Sequence, residues 1–258
     1  MDLGLKGRKA IVCASSKGLG KACATALAEA GCDIVVNGRH VETLEATAQE
    51  LMRAGVSVTA VLADVSTPEG QKALLAACPE PDILVNNNGG PPFRDFRELD
   101  RQAILDGVTQ NMVTPIELIK AVLDGMAARR FGRIVNITST SVYKPISGLD
   151  LSSGARAGLT SFLAGVARTV AKDNVTINNI LPGIFDTDRI RSGIRFGAER
   201  AGIEPEKETE RRMSAIPAGR FGAPEEFGQA CAFLCSAQAG YITGQNLIID
   251  GGAYNSAF

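Results

Sequence analysis

The amino-acid sequence predicts a single α/β domain in which a doubly wound parallel sheet of about seven strands carries helices on both faces. The first observation behind this prediction is that short apolar runs alternate with longer stretches of helical periodicity along the 258 residues. The second is that no Pro/Ser-rich linker, charge block or internal repeat divides the chain. Because strands that alternate with helices form parallel sheets covered on both sides, we treat residues 1–258 as one domain.

The strands are predicted where short runs rich in Val and Ile are bounded by residues that favour turns. They are Lys9–Ala14, Asp33–Asn37, Val56–Ala63, Asp82–Asn86, Arg133–Thr138, Val175–Ile180 and Asn246–Ile249. Most of these runs contain consecutive apolar residues, which is typical of strands buried on both faces of a parallel sheet.

The helices are predicted in the longer stretches between those runs, where apolar residues recur at helical spacing. They are Gly18–Ala30, Val41–Ala54, Pro68–Ala77, Arg101–Arg129, Leu151–Lys172 and Pro224–Ser236. Residues 186–220 are instead rich in Arg, Glu and Gly. We expect them to be the least regular segment and to form a lid insertion that covers a substrate.

The composition argues against several classes of function. With 27 basic and 28 acidic side chains, the net charge of -1 gives no general attraction to nucleic acid or to an anionic membrane. The single histidine, His40, excludes a multi-His metal site, and we predict no metal. The start has no signal-peptide core, and the six cysteines lie in apolar contexts without a CxxC pair. We therefore expect a cytoplasmic protein with reduced, mostly buried thiols.

A turn that contains two glycines, Ala14-Ser15-Ser16-Lys17-Gly18-Leu19-Gly20, joins the first predicted strand to the first predicted helix. Glycines at such a turn let a pyrophosphate approach the backbone amides and the positive end of the helix. Two glycines at a turn could also simply pack. The strand before, the helix after and a second strand that soon follows are, however, the context of a Rossmann-like dinucleotide site.

From these residues onward, the order of motifs resembles the short-chain dehydrogenase/reductase family, in particular its 3-oxoacyl-ACP reductases, over essentially the whole chain. Residues 13–20 match the family's TGxxxGxG, with Ala14 in place of its first glycine, and residues 86–89 match its NNAG, with Asn88 in place of Ala. The ending at residues 241–252 is also typical. The resemblance implies cofactor contacts at Ala14, Ser16, Lys17, Gly18, Leu19, Gly20, Arg39, Asp64, Val65, Asn87, Gly89, Pro182, Gly183 and Thr187.

The choice of cofactor can be interpreted from charge. NAD-binding members of the family carry an acidic residue at the end of the second strand, where it accepts hydrogen bonds from the ribose 2′-OH. This sequence has Gly38 there, followed by Arg39, and Lys17 lies in the glycine turn that faces the same region. Two cations without a carboxylate suit a 2′-phosphate, so the resemblance implies NADP(H). The competing interpretation is that both are solvated surface charges.

The catalytic motif departs from the family pattern. Ser139 and Asn111 match the family's catalytic Ser and helix Asn, but its YxxxK has become SxxxR, with Ser152 in place of Tyr and Arg156 in place of Lys. Tyr and Lys normally lie one helical turn apart, and the Tyr protonates the carbonyl oxygen as hydride arrives. A serine hydroxyl is a much weaker acid than a phenol, and Arg stays charged, so it can clamp an oxyanion but cannot relay a proton.

Three routes could replace the missing acid. Tyr143 lies four residues after Ser139, in the loop that rims the family's active site, and could serve as a substitute acid or contact the substrate. A water held by Ser139 and Asn111 is the second route, and an acidic group on the substrate is the third. Four arginines in residues 186–220, Arg189, Arg191, Arg195 and Arg200, are compatible with an anionic substrate or with a solvated helix face.

The resemblance implies an NADP(H)-dependent oxidoreductase that interconverts a small-molecule carbonyl and alcohol through an altered proton donor. A non-redox protein that binds NADP(H), such as a sensor, is the alternative that the SxxxR motif suggests. Halohydrin dehalogenases are similar to the family and use Ser-Tyr-Arg, but they retain the Tyr and lose the glycine turn, the reverse of this sequence. The resemblance also implies a homotetramer, or else a homodimer, packed through the two long helices.

Overall fold

The computed structural model describes residues 2–90 and 93–256. Its sheet has seven parallel strands in the order β3-β2-β1-β4-β5-β6-β7, so the predicted doubly wound fold is confirmed. The strands are β1 (Lys9–Val12), β2 (Asp33–Gly38), β3 (Val58–Leu62), β4 (Ile83–Asn86), β5 (Gly132–Ile137), β6 (Val175–Pro182) and β7 (Asn246–Ile249). The strand order reverses between β1 and β4, and ligands of such sheets bind at that reversal, beyond the carboxyl ends of the strands.

Helices cover both faces of the sheet and seal two apolar cores. The helices are α1 (Gly18–Glu29), α2 (Val41–Met52), α3 (Pro68–Ala77), α4 (Arg101–Val108), α5 (Thr114–Ala128), α6 (Asp150–Val170), α7 (Asp188–Ala201), α8 (Pro205–Ser214) and α9 (Pro224–Cys235). α1, α2 and α9 pack on one face, and α3, α5 and α6 pack on the other. All six cysteines are buried and free, and Cys231 and Cys235 share the buried face of α9 that the sequence predicts.

The helix predicted over Arg101–Arg129 is interrupted by a π-helical turn, Thr109–Val113, between α4 and α5. Pro115 explains the interruption. Proline has no N–H to donate to the carbonyl four residues earlier, and its ring clashes with that carbonyl, which here belongs to Asn111. The turn therefore bulges at Asn111, whose side chain is buried beneath it.

Residues 186–220 are more regular than expected, because α7 and α8 form a helical hairpin there. α7 ends at Gly202, which has a left-handed φ of 63°, and Pro205 begins α8. The Glu208 side chain is fully buried, and its carboxylate accepts hydrogen bonds from Arg211 at 2.7 Å and Arg212 at 2.7 Å. Arg212 in turn donates to the Gly193 carbonyl oxygen at 3.1 Å, which ties α8 to α7.

Four asparagines lie in register across neighbouring strands: Asn86 on β4, Asn136 on β5, Asn179 on β6 and Asn246 on β7. Their amides form a row of hydrogen bonds. Asn86 donates to Asn136 at 2.9 Å, Asn136 donates to Asn179 at 3.1 Å, and Asn179 donates to Asn246 at 2.7 Å. We call these four residues the amide row. Because a slip of one residue would break every bond in it, the row fixes the register of half the sheet.

The amide row has a direction. Asn136 Nδ2 also donates to the backbone carbonyl of Asn178, which fixes which end of that amide is nitrogen, and the remaining amides follow. At the β7 end, Asn246 Nδ2 donates to the Tyr143 hydroxyl oxygen at 2.7 Å. At the β4 end, Asn86 Oδ1 is buried without a hydrogen-bond partner among the described residues. The row therefore presents an unused acceptor at β4.

Candidate active site

The glycine turn forms a tight backbone cradle at the end of β1. A Cβ at Gly20 would lie 2.5 Å from the Ala14 carbonyl oxygen and 2.7 Å from Asn87 Nδ2, so only glycine fits there. Asn87 Nδ2 donates to that same Ala14 oxygen at 3.0 Å and ties β4 to the turn. Ala14 has a φ of 44°, which favours glycine, so the alanine holds a strained backbone conformation. Lys17 precedes α1 without a side-chain cap, which leaves the first amides of α1 available to a phosphate.

The end of β2 has no room for the acidic side chain of NAD-binding relatives. A Cβ at Gly38 would lie 2.8 Å from both Cβ and Oγ of Ser16, so an aspartate there would displace Ser16. Arg39 follows on the surface, where its guanidinium contacts the Asp64 carboxylate at 3.4 Å. Burial acts to raise the pKa of Asp64, but the Ser66 amide and hydroxyl and the Arg39 guanidinium outweigh burial and lower it. The carboxylate thus holds Arg39 beside the glycine turn.

The other predicted cofactor residues lie around the same edge of the sheet. Thr187 approaches the glycine turn, since a Cβ at Gly18 would lie 4.0 Å from its methyl group. Pro182 ends β6, and the close contact of Gly183 with Asp250 leaves no space for a side chain at position 183. Val65 is instead buried in the apolar core, so its side chain supports the site from behind. His40 is exposed at the start of α2.

Ser152 and Arg156 lie one turn apart on α6, and both are about nine-tenths buried. Arg156 Nε donates to Ser152 Oγ at 3.0 Å, and Nη1 donates to the carbonyl oxygens of Ile137 and Thr138, where β5 ends. Burial first, and then the nearby charge of Arg189, lower the pKa of Arg156 from 12.5 to about 10. Its described contacts include no carboxylate, so this buried cation is held by neutral acceptors.

Ser139 lies two residues after the end of β5. Its Oγ accepts a hydrogen bond from the Ser141 amide at 3.1 Å, so the oxygen is oriented and its own hydrogen remains available to a substrate. Ser139 thereby begins the short 3-10 turn Thr140–Val142. The structure places this hydroxyl and Arg156 at the end of the same strand.

A small cavity of about 20 Å³ lies between β4, β5, α5 and α6. Arg156 lines this cavity. Three other lining residues each have a buried polar atom without a hydrogen-bond partner among the described residues: Asn86 Oδ1, Asn111 Oδ1 and Thr114 Oγ1. The volume suits one water molecule, which could donate to the two amide oxygens and accept from Thr114 or Arg156. The π-helical turn is what places Asn111 at this cavity.

The structure does not bring the Tyr143 hydroxyl to Ser152 and Arg156. That hydroxyl accepts from Asn246 on β7, and the Tyr143 ring lies 5.5 Å from the Tyr254 ring. β7 is two strands away from β5, a lateral distance of roughly 10 Å at the usual strand spacing. In this conformation Tyr143 forms part of the outer rim, and the phenol is turned away from the reacting groups.

The roles of three residues near the site were not predicted from the sequence. Asn86 was noted only as the first residue of the NNAG match and Thr114 belongs to no motif, and only the fold brings their polar atoms together at the cavity. Arg189 was considered among the arginines of residues 186–220, yet it alone of those four lies over Gly90, where a Cβ would be 2.8 Å from its Nη2. A glycine opposite a long side chain was the available signal, but no spacing rule pairs residues 90 and 189.

Comparison with known proteins gives a consistent result. Residues 13–254 match the family model described as Enoyl-(Acyl carrier protein) reductase. The chain is 34% identical to the 3-oxoacyl-[acyl-carrier-protein] reductase FabG of Vibrio cholerae, over 98% of this chain and 99% of the relative. It is 30% identical to the NADPH-dependent reductase BacG of Bacillus subtilis, over 96% of this chain and 98% of the relative. L-sorbose reductase from Gluconobacter frateurii, solved with NADPH and L-sorbose, superposes with a TM-score of 0.94 at 30% identity, over 99% of this chain and 100% of that structure.

Proposed function

The chain belongs to the short-chain dehydrogenase/reductase family, and from this premise we propose that it is an NADP(H)-dependent oxidoreductase that interconverts a carbonyl and an alcohol. The observation that carries the proposal is the glycine turn between β1 and α1, where Gly20 packs closely against Ala14 and Asn87 and the first amides of α1 have no side-chain cap. Gly38, Arg39 and Lys17 support the phosphorylated cofactor, because a cationic region without an acidic side chain at position 38 suits a 2′-phosphate. When bound, the cofactor would supply or accept the hydride.

The proton follows an altered route in this proposal. The Ser139 hydroxyl donates a hydrogen bond to the substrate oxygen and gives its proton to that oxygen as the alcohol forms. Ser139 then takes a proton from water, and solvent neutralises the hydroxide that is released. Arg156 stays charged and stabilises the negative charge that develops on the oxygen, as an oxyanion-hole donor does. Support comes from the orientation of Ser139 Oγ and from the cavity that Arg156 shares with Asn111. Ser152 orients Arg156 through its bond to Nε and transfers no proton.

The test is to incubate the purified protein and NADPH with a panel of ketones, aldehydes and quinones, beside a Ser139→Ala variant. We expect NADPH consumption that the variant loses. Because no group of ordinary pKa near neutrality takes part, we also expect kcat/KM to be flat between about pH 6 and pH 9. Turnover no faster than that of Ser139→Ala would overturn the assignment of the reaction. A sharp titration in that range would overturn the proton route alone.

A non-redox NADP(H)-binding protein is the second candidate. It is favoured by one observation, namely that Arg156 is tied to two backbone carbonyls and to Ser152, as a structural side chain would be. This candidate predicts NADPH binding in calorimetry without consumption on any member of the panel. Absence of NADPH binding would remove both candidates together.

We further propose that the α7–α8 hairpin closes over the substrate and that the protein is a homotetramer or a homodimer. The hairpin carries Arg189 to the edge of the site, which suits a lid. Exposed apolar side chains on two helices of one face, Ile104 and Leu105 of α4 and Phe162 of α6, suit burial between copies of the chain. Light scattering coupled to size exclusion distinguishes one, two and four copies. In the described part of the chain, no helix is long and apolar enough to cross a membrane.

A further inference from the structure

Arg156 carries a buried positive charge that its surroundings do not neutralise. Its described hydrogen bonds all go to neutral oxygens, which are Ser152 Oγ and the carbonyls of Ile137 and Thr138. The third nitrogen, Nη2, makes no hydrogen bond within the described residues and is not completely buried. A buried cation is costly without a counter-ion, and charged side chains are rarely kept in this state unless a ligand uses them.

Arg189 brings a second unneutralised cation to the same place. It lies in the first turn of α7 with its guanidinium over Gly90, and a Cβ at Gly90 would be 2.8 Å from Nη2 and 3.0 Å from Nη1. Gly90 follows β4 closely, and Arg156 is anchored where β5 ends; β4 and β5 are neighbours in the sheet. The two guanidinium groups are close enough for the charge of Arg189 to lower the pKa of Arg156.

Arg189 and Arg191 are both exposed on α7, and they differ in their partners. The Arg191 guanidinium contacts Asp186 at 2.8 Å and Asp188 at 3.3 Å. Arg189 has no ion pair with a carboxylate in residues 2–90 and 93–256, although Asp188 adjoins it in sequence. The carboxylates of Asp186 and Asp188 are therefore engaged by Arg191, which leaves Arg189 and Arg156 without a carboxylate partner among the described residues.

We propose that Arg189 binds the carboxylate of the substrate, which is an oxo acid or the corresponding hydroxy acid, and that the nearby charge of Arg156 adds to the attraction while its Nη2 serves the carbonyl oxygen. This inference rests on the proposed function and adds the class of substrate to it. A planar carboxylate matches the fork of a guanidinium, and its charge offsets the two like charges. The pyrophosphate of the cofactor is the other anion within reach. The geometry favours the substrate, because Thr187 faces the glycine turn at Gly18 whereas Arg189 lies over Gly90, after β4.

The test compares acids with their esters. NADPH consumption is measured with acetoacetate against ethyl acetoacetate, levulinate against ethyl levulinate, and phenylpyruvate against ethyl phenylpyruvate. Each member is also titrated by calorimetry into protein saturated with NADP⁺, a readout that needs no turnover. The variants are Arg189→Met and, as the matched control on the same helix, Arg191→Met.

We expect at least one acid to exceed its ester about tenfold or more in kcat/KM and in affinity, because the ester lacks the negative charge that pairs with the guanidinium. Arg189→Met should abolish that preference, whereas Arg191→Met should retain the preference and keep ester turnover within about threefold of wild type. Equal binding of every acid and its ester would overturn the inference. An acid preference that survives Arg189→Met, together with weaker NADPH binding, would assign Arg189 to the pyrophosphate and likewise overturn it. Ester turnover without acid preference would leave the proposed function standing, whereas acid binding without any turnover would remove the proposed function and retain the carboxylate site.

Discussion

Replacing Gly20 by alanine should lower the stability of the protein, although Gly20 is a helical position, where alanine is normally preferred. The new Cβ would lie 2.5 Å from the Ala14 carbonyl oxygen and 2.7 Å from Asn87 Nδ2, well inside van der Waals contact. Helix propensity favours Gly20→Ala by about 1 kcal/mol. Against it stand about 1–3 kcal/mol of overpacking and about 1 kcal/mol for the Asn87–Ala14 hydrogen bond, which has to lengthen. The net expectation is a loss of about 1–3 kcal/mol.

Gly165→Ala is the matched control, because Gly165 is also helical, on α6, and a Cβ there would meet nothing within 4 Å. In thermal unfolding, the unfolding temperature should fall by roughly 2–12 °C for Gly20→Ala and rise by roughly 2–4 °C for Gly165→Ala, at about 2–4 °C per kcal/mol. NADPH titration followed by fluorescence should show at least about tenfold weaker binding for Gly20→Ala alone, because the displaced backbone forms the phosphate cradle. A Gly20→Ala variant with wild-type unfolding temperature and wild-type affinity would refute the reasoning.

Arg39→Ala should reduce the preference for NADPH over NADH roughly tenfold, since an exposed guanidinium–phosphate contact is worth about 1–2 kcal/mol. If parallel titrations give the same ratio of NADPH to NADH affinity as wild type, Arg39 does not contact the 2′-phosphate. Ser152→Tyr combined with Arg156→Lys restores the family's acid and its neighbour, and should raise steady-state reduction of the ketone panel roughly 10²-fold or more. A folded but inactive double variant would show that more than the acid is missing. The Arg211 and Arg212 guanidinium groups lower the pKa of Glu208 from 4.5 to about 2, so the stability that its ion pairs contribute is present above about pH 4.5 and is lost as the pH falls toward 2. Glu208→Gln should therefore make the α7–α8 hairpin susceptible to limited proteolysis near neutral pH, and cleavage no faster than in wild type would contradict that role.

The fold could be predicted because its signals are local and repeated. Every predicted strand is found, and the order of strands and helices follows from the alternation of apolar runs. What the sequence analysis missed depends on single residues whose effect needs the third dimension. Pro115 interrupts a long amphipathic helix at Asn111, and apolar periodicity continues across the break. Residues 186–220 were expected to be irregular because they are polar, yet one buried carboxylate, Glu208, organises them into a hairpin.

Candidate residues for the site could be assigned from the sequence, but their geometry could not. Motif order located Ser139, Ser152 and Arg156, whose positions relative to β5 and α6 the structure then describes. The direction of the Tyr143 side chain was not predictable, because it depends on a partner, Asn246, that lies 103 residues further along the chain. Arg189 was hidden for the same reason, since its significance comes from Gly90 in a distant loop.

The amide row has a consequence for how this protein can change. Each inner member is both donor and acceptor. Replacing Asn136 alone by an apolar residue leaves buried amide groups of Asn86 and Asn179 without their partner, at roughly 1–3 kcal/mol for each group. Replacing Asn179 alone costs less, because Asn136 keeps its bond to the Asn178 carbonyl and Asn246 is only half-buried. Replacing two adjacent members removes the bond between them together with both of its owners, so the combined cost should be smaller than the sum of the single costs. The row is therefore epistatic. Its asparagines can be lost or gained as a block far more easily than one at a time, and a double-mutant cycle at positions 136 and 179 would measure that coupling directly.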